Sequence, residues 1–297
     1  MKKYIGALML LLAAIIWGFA FVAQSVGMDY VGPFTFNFSR YLIGAAVLAP
    51  FALYNAVKKK TVTKENRRIT IFGGIGCGVI LFVASSLQQI GIKYTTAVGK
   101  AGFLTALYII FVPIVGILFK KKCRAIIWIS VLVSVAGLYL LCVKEGFSFE
   151  FADIILIGCA IGFTFHIIFI DYVSPKTDGV VISCIQFAVA SLICLPVSAI
   201  NEKLVFSNIL GAWLPILYAG VMSCGIAYTF QILGQKRVPP AEASLIMCLE
   251  SVFSAIGGWI ILHEILSLRE IIGCVVVFVA IILAQFAETK TEKKVEE

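Results

Sequence analysis

The amino-acid sequence predicts an all-α integral membrane protein whose ten transmembrane helices form two inverted five-helix repeats. Three observations carry this expectation. Of 297 residues, 61% are hydrophobic and only 13% charged, with a mean hydropathy of +1.04, whereas an ordinary soluble domain carries about 25% charged residues. Ten apolar segments of helical length follow one another with short polar punctuation; at about 20 residues per crossing they leave little chain for anything else. Finally, residues of the first half recur in order in the second. The ten-residue alternation of a membrane β-barrel is absent, so internal hydrogen bonding in helices is what satisfies the backbone in hydrocarbon. Disorder and nucleic-acid binding both need more polar or basic surface than this composition offers.

The first segment, residues 4–24, follows Lys2 and Lys3 and is apolar from Ile5 to Val22. It exceeds the 7 to 15 residues of a signal-peptide core and nine similar segments follow, so it reads as a membrane helix; it carries Trp17 and Gly18. In the second, 31–55, Asn37, Arg40, Tyr41 and Gly44 fall at i, i+3, i+4 and i+7, one polar face of a helix. A charge near the bilayer centre costs about 2.5 to 3.5 kcal/mol on insertion scales and belongs against protein or a wet cavity. Arg40 is thus either a contact for an anion or carboxylate, or a structural arginine capped by carbonyls.

The third segment, 69–91, aligns Gly74, Gly78, Leu81, Ser85 and Gln88 in a stripe. Its opening Gly73 to Gly78 run follows no strand, which removes the likeness to a phosphate loop. The fourth, 95–119, carries Lys100 and Tyr108, and the fifth, 124–143, ends the first half. In the sixth, 153–172, His166 shares a small-residue seam with Gly158 and Gly162, as a structural donor or a proton relay. A turn at Ser174 and Pro175, flanked by Asp171 and Asp178, leads to the seventh, 179–200. The eighth, 209–234, sets Cys224, Tyr228 and Gln231 on one face that Gln235 continues. Stripes of this kind serve either a cavity wall or close helix contacts with polar glue. The ninth, 239–262, begins near Glu242 and holds Glu250, the deepest carboxylate of the chain, with Ser254 and Gly257 on the same face. Such a group can carry a proton, pair with a substrate amine, or serve as a partner for Arg40. His263 and Glu264 end it, and the tenth segment is 268–287.

Counted by loop, 18 of the 24 Lys and Arg residues fall on the side of the two termini, while Lys93, Lys144, Lys203 and Arg269 fall opposite. The excess places both termini in the cytoplasm. Eight of the nine cysteines lie in apolar runs, with no CxxC pair and no zinc-like spacing. With two histidines, no HExxH, no Walker A sequence and no dinucleotide fingerprint, the chain is not expected to be an enzyme, to hydrolyse ATP, or to need a cofactor or metal.

Superposing Gln88 on Gln231 also brings Gly91 onto Gly234; one position of shift then matches Ala101, Leu107, Phe111 and Gly116 with Ala243, Leu249, Phe253 and Gly258. A repeated unit of five spans re-enters the membrane from the opposite side, and in carriers of this plan the substrate lies near the midplane between the copies. Lys100 and Glu242 occupy matching positions, toward the outer and inner faces, and are candidate gate residues, with snorkelling to the interface as the other reading. Tyr108 is the counterpart of Glu250.

Three stretches carry a family resemblance: Trp17 with Gly18, the sequence GIKYTTAVGKAGFLTAL from Gly91, and QKRVPPAEASLIMCLESVFSAIGGWIILHE from Gln235 to Glu264. They resemble the repeat ends of EamA-type transporters of the drug/metabolite transporter superfamily. The resemblance implies ten helices, repeats over 1–147 and 148–288, a cytoplasmic tail at 289–297, a central cavity, and outward movement of small metabolites. Glu250 is followed by Ser251 where the usual pattern has proline, so a proline-broken ninth helix is not expected. The function so expected is secondary transport, moving a small metabolite such as an amino acid outward across a bacterial plasma membrane by alternating access; a non-transporting sensor or scaffold is the alternative. Trp17, Arg40, Gln88, Tyr108, His166, Gln231 and Glu250 are the candidate substrate-binding residues. A small-molecule substrate, protons, the lipid bilayer and a second copy of the chain are the candidate partners.

Overall fold

The computed structural model describes residues 2–94, 98–121, 123–142, 150–261, 263 and 265–296, with side chains throughout except at 2, 98–100 and 285–296. Glu145 and Glu264 lie outside the described residues, as does the side chain of Lys100. The chain is helical, and no strand occurs among the described residues. Helix α1 is Lys2–Gly27; α2, Pro33–Leu53, runs on into a π-helical turn at Tyr54–Lys58; α3 is Arg67–Tyr94. The fourth crossing consists of α4, Val98–Ala106, and α5, Tyr108–Leu118. Then come α6 (Ala125–Cys142), α7 (Phe151–Val173) and α8 (Gly179–Asn201). A short α9, Phe206–Gly211, leads into α10 (Trp213–Tyr218), a π-helical stretch at Ala219–Ala227 and α11 (Tyr228–Gln235), which form one crossing. The ninth crossing is α12, Pro240–Met247, with α13, Glu250–Ile261, and the last helix is α14, Leu268–Glu296.

Nine helical segments among the described residues are long and apolar enough to cross a membrane. With Leu42, Phe72, Leu132, Phe165 and Leu192 each exposed on a span, the chain is a multi-pass membrane protein whose apolar outer surface faces lipid. α14 lies along α6 and contributes Val277, Ala280 and Ala284 to the interior.

Two segments expected as single helices are broken at matching positions. In the fourth crossing Leu107 N–H bonds to Leu104 O at 3.3 Å and Ile110 N–H to Leu107 O at 2.9 Å. In the ninth, Leu249 N–H bonds to Ile246 O at 3.2 Å and Ser251 N–H to Cys248 O at 3.1 Å. The four-residue ladder tightens to three-residue steps for about one turn, which shifts the axis without removing a donor. Thus the ninth helix is interrupted without a proline at Ser251. In the eighth crossing the ladder instead loosens into the π-helical stretch, a change of register that no residue type in the sequence announces.

Small residues set the closest approaches. A Cβ on Gly18 would stand 2.3 Å from Phe253 Cβ and 2.7 Å from its carbonyl carbon, so α1 and α13 meet backbone to side-chain root. On Gly273 it would stand 2.6 Å from Leu141 N and 2.7 Å from Gly137 O, where α14 lies against α6. Close packing and not hydrophobic transfer holds helices together in lipid. Gly273→Leu is therefore expected to push α14 off α6 and to destabilise the fold by at least about 1 to 3 kcal/mol, the usual cost of overpacking. A lowered thermal midpoint in detergent checks this; an unchanged midpoint would show that α14 can shift freely.

Helix α2 packs along the whole of α8, where Ser191 Oγ donates to Phe38 O at 3.2 Å and Cys184 Sγ to Ala45 O at 3.7 Å. Around that pair, α3 packs on α7 as the eighth crossing packs on α1, and α1 lies on α13 as α7 lies on α4 and α5. A cavity remains in the middle.

Candidate functional site

The central cavity leaves about 40 Å³ for the centres of water molecules, so it is narrow in this state. Its wall draws residues from both halves of the chain at nearly constant sequence offsets. Trp17 and Phe163, and Phe21 and Ile167, stand 146 positions apart; Gln88 and Gln231 stand 143 apart; Thr105 and Met247, and Tyr108 and Glu250, stand 142 apart. All ten line the cavity.

The chemistry is less symmetric than the positions. Tyr108 is the first residue of α5 and Glu250 the first of α13, so both helix breaks aim a side chain at the centre. There the Tyr108 hydroxyl donates to Glu250 Oε1 at 3.0 Å. The Glu250 carboxyl also sits at the amino end of α13, where the N–H groups of Ser251 and Phe253 are already bonded to Cys248 O and Leu249 O.

Arg40 reaches the cavity from α2 and is only 2% exposed. Its Nη1 donates to Gln24 Oε1 at 3.2 Å and its Nη2 to the Tyr41 hydroxyl at 3.1 Å, with the guanidinium 4.8 Å from the Tyr41 ring centre and 5.8 Å from that of Phe36. Its Nε has no hydrogen-bond partner. These partners are uncharged, and no ion pair joins Arg40 to Glu250 among the described residues. A structural pairing of the two charges is therefore not what keeps them in the membrane. A fork of five donors held by neutral groups has donors left for a carboxylate. Asn37, Tyr41 and Gly44 share its buried face while Leu42 is 52% exposed, so the polar face of α2 does point inward.

Six of the seven residues singled out from sequence line this one cavity: Trp17, Arg40, Gln88, Tyr108, Gln231 and Glu250. His166 does not. It is fully buried behind the wall, bonded through Nε2 to Gln186 Oε1 at 3.1 Å and edge-on to the Tyr228 ring. Of the stripe on α3, Gly74 and Gly78 pack against Ile185 and Val189 of α8, and only Gln88 reaches the cavity. Of that on the eighth crossing, Tyr228 and Gln231 line it, Cys224 packs on Gly44, and Gln235 Nε2 donates to Ile167 O at 3.0 Å. Four orphan polar atoms remain among the lining residues: Trp17 Nε1, Arg40 Nε, the Thr105 hydroxyl and Gln231 Oε1.

Sequence reasoning missed Gln24 and Phe21, although both lie on the helix face of Trp17, at i+7 and i+4. Phe163, Ile167 and Met247 are apolar residues with no signal of their own; only their offsets from Trp17, Phe21 and Thr105 could have pointed to them.

About one turn beyond the central wall, on the side of the termini, lies a second space of about 370 Å³, bordered by Val112, Gly116, Lys121, Gln235, Lys236 and Arg237 among others. Lys121 pairs with Asp171, and Lys236 Nζ donates to Thr177 O. Burial holds the Lys236 ammonium below the usual lysine range, an effect that the Asp178 carboxylate opposes. At the same end Glu242, 4% exposed, pairs with Lys3 at 2.9 Å, which ties α12 to the start of α1. Glu242 is thus held inside the protein and does not snorkel.

The chain matches the family model of the EamA-like transporter family twice, over residues 4–143 and 150–286. It is 27% identical over 283 residues to an uncharacterized transporter of Archaeoglobus fulgidus, covering 95% of this chain and 86% of that protein. It is 21% identical to the uncharacterized transporter YoaV of Bacillus subtilis (92% and 94% covered) and 22% identical to a chloroplastic WAT1-related protein of Arabidopsis thaliana (92% and 67%). One crystal structure superposes with a TM-score of 0.79 over 97% of this chain and 98% of its own, at 19% identity, which shows a shared fold.

Proposed function

Because the chain belongs to the EamA-like transporter family, we propose that it is a secondary carrier, moving a small metabolite that bears both a carboxylate and an amine, such as an amino acid, by alternating access. One observation carries the reading: a buried cavity, walled by residues of both halves at nearly constant sequence offsets, holds an arginine with spare donors and a separate carboxylate. Arg40 is the contact for the substrate carboxylate, with Gln88, Gln231 and the Trp17 N–H as further polar handles. Glu250, with Tyr108, receives the amine or a proton, and the aromatic and apolar walls hold the remainder. Charged groups kept in a membrane interior without mutual neutralisation belong to a pathway more often than to a scaffold.

In this reading the two family matches correspond to inverted five-helix repeats over 1–147 and 148–288, and α14 is the tenth crossing, with 289–297 as a tail. The matching offsets, the paired helix breaks and the exchange of packing partners between halves support it. The termini are cytoplasmic and the membrane is a bacterial plasma membrane. Lys100 gates the outer end and Glu242 the inner. The second space opens beside Lys236 and Arg237, on the cytoplasmic side, which favours loading from within and export.

Proteoliposomes tested with a panel of amino acids, nucleobases and cationic drugs decide the matter: amino-acid flux above protein-free vesicles is expected. Flux of none of them would favour a sensor or scaffold. For the topology, a reporter active only outside the cytoplasm and fused after Glu297 is expected to be silent. Activity there would mean an odd number of crossings and would remove the inverted repeat.

A further inference from the structure

The amino end of α2 lies opposite the chain termini and is capped by a residue from far along the sequence. Its N-cap, Gly32, has no side chain, and Pro33 has no N–H. The next two N–H groups, of Phe34 and Thr35, donate to the Glu202 carboxylate at 2.9 and 2.8 Å, and the Thr35 hydroxyl donates to it at 2.6 Å. A Cβ on Gly32 would stand 2.2 to 2.4 Å from the carboxylate atoms of Glu202, so the glycine is the space that the carboxylate fills. Glu202 itself is the residue that ends α8.

The other end of the α2 and α8 pair is built differently. Asp178, 146 positions after Gly32, is the N-cap of α8 and accepts from Val180 N at 2.9 Å and Val181 N at 3.1 Å. It reaches α2 only through the Asn55 amide, 3.3 Å from each oxygen. If the helices part at that end, α8 keeps its cap. If they part at the Glu202 end, α2 loses three hydrogen bonds and leaves N–H groups without an acceptor from protein. Capping of α2 is thus conditional on closure of one face, and capping of α8 is not.

We propose that Glu202 is a latch: its carboxylate holds the face opposite the termini closed and biases the resting protein toward the state open on the terminal side. The purpose of such a latch rests on the carrier reading above, but its test needs no substrate, so the two can fail separately.

The test reads access to a cysteine placed under the latch. Ala212 is fully buried in a small apolar cluster with Val31, Phe36 and Ile216 beside the amino end of α2. Ala212→Cys is reacted with a membrane-impermeant maleimide in nanodiscs, where both faces meet the reagent, and labelling of the protein without it is subtracted. Adding Glu202→Ala is expected to speed labelling at least tenfold, and Glu202→Gln by less. A cysteine replacing Ser174, buried at the other end, is not expected to react faster. Unchanged labelling at 212 with a lowered thermal midpoint would make Glu202 an ordinary cap and overturn the latch, as would equal acceleration at both ends, which means general loosening. If Glu202→Ala does not fold, Glu202→Gln combined with Thr35→Val reads the same difference.

Discussion

Arg40→Leu is expected to leave the protein inserted in the membrane and to lower carboxylate-substrate flux at least about tenfold, the equivalent of about 1.4 kcal/mol. Leucine suits the surroundings of the α2 face, with Phe36 and Tyr41 on either side of the guanidinium, so insertion and packing are not the casualties. What is lost is a charged donor whose partners inside the protein, Gln24 and Tyr41, are neutral. A charge-assisted bond to a carboxylate exceeds a neutral one by roughly a factor of two. Arg40→Lys separates charge from geometry: an ammonium keeps the sign but not the planar fork, and part of the flux should return. Initial rates in proteoliposomes matched for protein content measure both variants. Full flux in Arg40→Leu would make the arginine a structural group whose donors serve Gln24 and Tyr41 alone.

How much of this was open to reading in the sequence depends on whether a feature costs free energy where it stands. The spans could be read because each must satisfy its backbone in hydrocarbon, and Arg40 and Glu250 because a charge at that depth demands a reason. The repeat gave the pairing of Tyr108 with Glu250, which the structure joins by a hydrogen bond. The helix breaks gave no sign. The sequence around Leu107 has neither proline nor glycine at the break, and just after Cys248 and Leu249 Ser251 stands in place of the usual proline, yet the ladder tightens in both places. The apolar half of the cavity was hidden for a different reason: Phe163 and Ile167 are apolar like most residues of their helix, so their type alone does not distinguish a wall from a lipid face. His166 is the opposite case: a rare residue type draws attention to a place behind the wall, where Gln186 meets its Nε2 and its Nδ1 has no hydrogen-bond partner. Glu202, in turn, reads as a loop acid, and its partners lie 167 and 168 positions away.

Glu250→Gln is expected to abolish accumulation driven by a pH gradient while exchange of labelled for unlabelled substrate continues. Among the cavity-lining residues Glu250 is the one carboxyl group. Glutamine keeps the length and the oxygen that accepts from Tyr108, so the contact at 3.0 Å and the start of α13 can survive. It cannot take up and release a proton, which removes coupling without closing the cavity. The two assays separate the roles that a carboxyl can play here. Loss of both would make Glu250 a binding residue whose charge the substrate amine requires, and retention of both would move coupling elsewhere. Tyr108→Phe, which keeps the ring and removes the donor, should leave gradient-driven accumulation in place, because the proton carrier remains. If that variant fails like Glu250→Gln, the coupling unit is the hydrogen-bonded pair at the two helix breaks, not the carboxyl alone.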